Sequence, residues 1–176
     1  MKTLVKYLIV PLFVLGITLP AHAYKLPAYS KLCEQLKDLK GWKAEKCTGM
    51  NMTASPMGEV VSATRSYSRG YESVNAVIVS GMQANSYYAP FAYNMQMDSD
   101  DQFVKIIKIK GFSVGINYNK KDKSGNIAVL LKKPGNNTPA ALFNIGFNNM
   151  DWEKALDIAK KFNWTAMKDL FLVINP

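Results

Sequence analysis

Met50-Asn51-Met52, with Met57 five residues further on, gathers three potential soft-metal ligands within eight residues. Thioethers are soft donors, and Cu(I) is a soft ion that accepts two or three of them. On a strand, residues i and i+2 point to the same side, so Met50 and Met52 could converge on one ion while Met57 reaches back across the next turn. The competing reading is core packing, because methionine is an adaptable apolar filler and a strand's inner face also wants apolar residues at i and i+2. Met95 and Met97 form a second pair. If they lie on a helix they stand about 200° apart and cannot chelate together.

The other common reactive groups are scarce. The single histidine, His22, lies in the first 23 residues, and those residues read as a secretory leader. Lys2 and Lys6 make the positive start, Tyr7 to Leu19 is apolar, Pro20 breaks the run, and Ala21-His22-Ala23 supplies small residues at the cleavage site. Thirteen apolar residues are too few to span a bilayer as a helix, which takes about 20. Removal of this cleavable signal peptide (residues 1–23) leaves one domain, residues 24–176, with 20 basic against 13 acidic side chains, a net charge of +7 and no imidazole. The expected compartment is periplasmic or secreted. Cys33 and Cys47 are the only cysteines, and in an oxidising compartment they can pair only with each other inside the chain. Histidine-based triads, zinc sites and thiol nucleophiles all drop out, so catalysis is not expected and no cofactor is required, with Cu(I) as the alternative.

Asp98, Asp100 and Asp101 resemble a calcium loop only in part. The twelfth position from Asp98 is Ile109 instead of a bidentate glutamate, and the sixth is not glycine. Lysine is the more persistent charge. Lys105, Lys108, Lys110, Lys120, Lys121, Lys123, Lys132 and Lys133 fall in one stretch of strand-like sequence, which invites an anion-binding reading. Hairpin registration would split them. Lys120, Lys121 and Lys123 belong at a hairpin tip, and Lys110, Lys132 and Lys133 at the opposite end of the sheet, where lysines also discourage edge pairing between molecules. Tyr87, Tyr88, Phe91 and Tyr93 form an aromatic run that could pack on the sheet or line a groove.

These residues need a scaffold, and the chain supplies one of mixed class. Tyr29, Leu32, Cys33, Leu36 and Leu39 recur at helical spacing up to Gly41, a residue suited to a helix end with positive φ. Seven strand candidates follow: 42–53, 59–68, 72–81, 102–110, 112–119, 126–132 and 140–147. The turns between them are short and rich in Gly, Pro, Asn and Asp, as in antiparallel hairpins. A helix is predicted over 85–97, where Pro90 is tolerable if it falls in the first turn. A last helix starts at Asp151, carries the stripe Trp152, Ala155, Leu156, Ala159 and Phe162, and ends near Lys160 and Lys161, with a further helical turn from Trp164.

The order helix, three strands, helix, four strands, helix, with Gly41-Trp42 leading into the first strand, resembles the PsbP-like superfamily over roughly residues 41–162. That resemblance implies an antiparallel sheet between flanking helices and a non-catalytic accessory or docking role, with no functional residue carried over. The expectation is therefore an α+β domain with an antiparallel sheet of about seven strands and helices packed on it. It would be a soluble binding or accessory domain that holds a protein partner or small ligand, or an anionic envelope surface, through the basic sheet end or the aromatic helix. Nucleic acid is not an expected partner.

Overall fold

The computed structural model describes residues 25–54, 58–81, 83–135 and 138–172. The leader-like residues 1–23 and Met57 lie outside the described residues. The architecture is α+β. The elements run α1 (Tyr29–Cys33), β1 (Lys43–Ala44), β2 (Thr48–Ala54), β3 (Gly58–Arg69), β4 (Glu72–Ser80), α2 (Ala84–Ala92), β5 (Met97–Asp98), β6 (Gln102–Ile109), β7 (Phe112–Asn119), β8 (Ser124–Lys132), β9 (Ala141–Asn148), α3 (Trp152–Ala159) and α4 (Trp164–Asp169).

Nine strands among the described residues make one antiparallel sheet in the order β1-β3-β4-β9-β8-β7-β6-β5, with β2 also pairing β3. The count exceeds seven because of two features. The predicted strand 42–53 is broken at Glu45–Cys47, where Cys47 bonds to Cys33, so β1 and β2 pair separately with the two ends of β3. Met97, expected at the end of a helix, joins Asp98 in the short edge strand β5. The β6–β7 connection is as tight as expected: Lys110 and Gly111 both take positive φ (48° and 84°), the conformation of a two-residue hairpin whose twist matches its strands.

One face of the sheet is the main core. Tyr67, Ile78, Phe143, Ile145, Phe147, Ile116 and Ile127 point there and are fully buried. α3 and α4 cover it with Ala155, Leu156, Ile158, Trp164 and Met167. Asp151 occupies the residue before α3, yet its carboxylate does not cap the helix; it accepts from the Tyr118 hydroxyl at 3.1 Å and pairs with Lys123 at 3.4 Å. α4 is capped by Asn163, whose Oδ1 accepts from the Ala166 N–H at 3.0 Å.

The N-terminal helix is shorter than its apolar spacing predicts. Carbonyls that a continuing helix would use are taken by β3 instead: Arg65 donates to the Leu36 oxygen at 2.6 Å and the Tyr67 hydroxyl to the Lys37 oxygen at 2.9 Å. Leu36 and Leu39 are nevertheless buried, so the hydrophobic spacing still reports the inward side. Gly41 has φ +82° but belongs to the turn before β1, well past the helix end. The Cys33–Cys47 disulfide ties this wrapped segment to the sheet edge, with Cα atoms 5.7 Å apart.

Candidate binding surfaces on the second sheet face

The opposite face of the sheet is only partly covered, and antiparallel register sorts its residues into rows. Ser66, Asn75, Gly146, Asn126 and Asn117 are successive partners across five strands, and Ser68, Ser73 and Asn148 form the next row outward. Toward the other end the rows turn apolar: Val77, Asn144, Ala128 and Gly115, then Val79, Leu142 and Leu130. α2 lies on this apolar part. Tyr87, Tyr88 and Phe91 pack there against Val79, Leu130 and Leu142. Tyr88 and Phe91 are stacked with centroids 6.5 Å apart, and the Phe91 ring sits so close to Gly115 that a Cβ there would stand 3.1 Å from it. Of the predicted aromatic groove, Tyr87, Tyr88 and Phe91 come together. Tyr93 does not: it follows the helix end and is exposed. Pro90 occupies the last turn of α2 and not the first, so its missing N–H forgoes one i→i−4 hydrogen bond just before the helix ends.

Three hollows open on or beside this face. The outer Ser/Asn rows floor a shallow cleft of about 630 Å³. It has no lysine or arginine in its lining, and Glu45 at its margin is its one charged residue. Beneath α2 is a cavity of about 230 Å³, bounded by Tyr87, Pro90, Phe91, Val104 and Ala128, with Asn117, Asn126 and Asn144 on its polar side. Asn126 lines both hollows. Asn144 is only 4% exposed; its amide donates to Asn126 Oδ1 at 3.3 Å, and its own Oδ1 has no hydrogen-bond partner.

The third hollow, of about 380 Å³, gathers charge at the far end of the strands. Lys108, Lys110, Lys132, Lys133 and Lys168 line it, together with no acidic residue. Sequence spacing brings Lys110, Lys132 and Lys133 together as predicted; α4 adds Lys168, which no local pattern announces. Lys108 Nζ donates to Ser113 Oγ at 2.6 Å. Burial holds the Lys132 ammonium below the ordinary lysine range. The lysines of the β7–β8 tip are employed differently. Lys120 pairs with Asp98 at 2.8 Å and Lys123 with Asp151 at 3.4 Å, while Lys121 is exposed. Lys105 is withdrawn as well, its ammonium 3.7 Å from the centre of the Trp152 ring.

Met50 and Met52 lie on β2 opposite Ser62 and Val60, on one side of the strand, and each is 42% exposed. Met95 and Met97 fall beyond the end of α2, contrary to the helical placement, and are also exposed. Among the described residues, no three His, Cys, Asp or Glu side chains are gathered as a metal ion would need. No helix there is long and apolar enough to cross a membrane.

The Ser/Asn rows and Asn144 are not among the residues that the sequence motifs single out, although they carry a period-two signal. In 141–148 the core residues Phe143, Ile145 and Phe147 alternate with Asn144, Gly146 and Asn148. Ser66 with Ser68, and Ser73 with Asn75, repeat that spacing on β3 and β4. No protein-family model, curated protein or solved structure matches this chain.

Proposed function

We propose that the protein is a non-catalytic binding domain of an oxidising, extracytoplasmic compartment that docks on a phosphate-bearing anionic surface through the five-lysine cleft. The carrying observation is the convergence of Lys108, Lys110, Lys132, Lys133 and Lys168 on one hollow lined by no acid. Like charges brought together cost free energy unless an anion neutralises them, so such a cluster favours an anionic partner. The disulfide and the leader-like first 23 residues support the compartment. The accessory role implied by the PsbP-like order of elements agrees with this reading, as does a chain whose one histidine lies in the leader and whose cysteines are bonded to each other.

Each lysine held near an anionic membrane is worth about 1 kcal/mol. Reversing Lys110 and Lys132 to glutamate therefore weakens binding to phosphatidylglycerol vesicles by about 30-fold or more. Co-sedimentation with those vesicles, against phosphatidylcholine vesicles and inorganic polyphosphate as separate arms, tests the reading and distinguishes a membrane from a free phosphate chain. Binding should fade with added salt. Equal binding to both vesicle types, or indifference to the double reversal, would refute it.

A second reading rests on Met50 and Met52, whose exposed thioethers share one side of an edge strand. In it they bind Cu(I), with Met57 as the third donor. Anaerobic Cu(I) titration against a competing chelator, compared with a Met50→Ala/Met52→Ala variant, decides it: unchanged uptake by the variant rejects the site.

A further inference from the structure

We propose that the cavity beneath α2 is the recognition pocket for the acetamido group of an N-acetylated sugar whose hydroxyl-bearing rings lie across the neighbouring Ser/Asn rows. The site is distinct from the lysine cleft and independent of it. Three features of the cavity converge on this chemistry. First, Asn144 Oδ1 is a buried acceptor without a donor, a costly arrangement that a ligand N–H relieves. Second, the walls formed by Tyr87, Phe91 and Ala128 are apolar and suit a methyl group. Third, Asn117 and Asn126 at the mouth are exposed and carry amide N–H groups able to donate to a carbonyl. A secondary amide bearing a methyl group needs just this set: one acceptor, one donor and one apolar patch.

A single water could satisfy Asn144, but the space is several times too large for that purpose. At about 230 Å³ it is nearly eight times the ~30 Å³ share of one water, and most of its lining offers further waters no partner. The surroundings extend the argument beyond the amide. Asn126 joins the cavity to the 630 Å³ cleft, where Ser68, Ser73, Asn75 and Asn148 present short neutral hydroxyls and amides. In a chain of net charge +9, a floor with no lysine or arginine suits a neutral, hydrogen-bonding ligand better than an anion. Sugar hydroxyls, both donors and acceptors, match side chains that are likewise both.

The test compares two disaccharides of similar size by calorimetric titration of the full chain. N,N′-diacetylchitobiose carries the acetamido group, and cellobiose has hydroxyls in its place. Saturable binding of the first, at least tenfold tighter than the second, is expected. Asn144→Leu removes the acceptor while keeping the volume apolar, and should cut binding tenfold or more with a melting temperature no lower than the parent's. Ala128→Leu fills the cavity from its floor and serves as the second variant should Asn144→Leu fail to fold; it too should lose binding. Absence of binding to either sugar, equal affinity for both, or folded variants that retain parental affinity would each overturn the proposal, leaving the cavity as a hydrated packing defect.

Discussion

Removing the disulfide should destabilise the domain by an amount set by the size of the loop it closes. Cys33 and Cys47, 14 positions apart, enclose a loop of 15 residues when both are counted. Constraint of the unfolded chain by such a loop is worth about 3 kcal/mol at 25 °C. For a domain of about 150 residues, 1 kcal/mol shifts the melting temperature by ~2–4 °C, so a Cys33→Ala/Cys47→Ala variant should melt about 6–12 °C lower. The loss should also have a place. α1 is five residues long, far below the ~12–15 that a helix needs for marginal stability alone, and it is held by burial of Leu32 and Leu36 together with the staple. Thermal unfolding by circular dichroism measures the first effect, and limited proteolysis between residues 25 and 42 the second. A melting shift below about 2 °C, with that segment as protected as in the parent, would refute the reasoning, because the loop would then be constrained in the unfolded chain without the bond.

Three further outcomes follow from charges and close contacts. The Glu72 carboxylate accepts from Lys154 and Arg69 and is held below the ordinary glutamate range by those two hydrogen bonds; its stabilisation is present above the unfolded pKa, near 4.3, and disappears as pH falls through the folded one. Both partners are nearly half exposed, so Glu72→Gln should cost no more than about 1 kcal/mol by urea unfolding at neutral pH, and that cost should shrink as the pH falls below the ordinary glutamate range. Burial, with help from Asp38 and against Arg65, pushes the Tyr67 hydroxyl up to about 12, so folding stability tied to its neutral form is complete below pH 10 and is lost between 10 and 12; Tyr67→Phe should remove that alkaline loss in unfolding experiments. Gly115→Val should displace the Phe91 ring, loosen α2 and cost about 1–3 kcal/mol, whereas Gly115→Ala needs a shift of only a few tenths of an ångström; equal stability of the valine variant and the parent would contradict the packing described.

Elements defined by local chemistry were readable from sequence, and those defined by distant partners were not. The β3–β4, β6–β7 and β7–β8 turns lie within two residues of where Arg69-Gly70, Gly111 and Lys121 to Gly125 mark them, since turn residues state their backbone needs locally. α3 begins after Asp151 as expected, although Tyr118 and Lys123, remote in sequence, claim the carboxylate. The early end of α1 has the same cause: Arg65 and Tyr67 compete for its carbonyls from about 30 residues away. Placement of β9 between β4 and β8 likewise has no local signal, yet that pairing sets Asn75, Gly146 and Asn126 in one row and brings Asn144 beneath α2. Lysine spacing foretold three members of the basic cleft because they share paired strands, and missed Lys168 because a helix delivers it.

The grading of the second sheet face makes its two ends separable in energy as well as in chemistry. Ala128, on the floor of the sugar pocket, and Lys132 are four residues apart on β8, which at about 3.3 Å per residue puts roughly 13 Å between the pocket and the basic cleft. That distance exceeds the ~8 Å over which exposed charges act at physiological ionic strength. Charge reversal at Lys110 and Lys132 therefore leaves a neutral sugar's affinity unchanged, and Asn144→Leu leaves vesicle binding unchanged. Between the ends sits α2, anchored by Phe91 over Gly115 and by the apolar rows beneath it. A rigid divider of this kind transmits little unless it moves, so loss of both activities in either variant would point to displacement of α2 and not to charge.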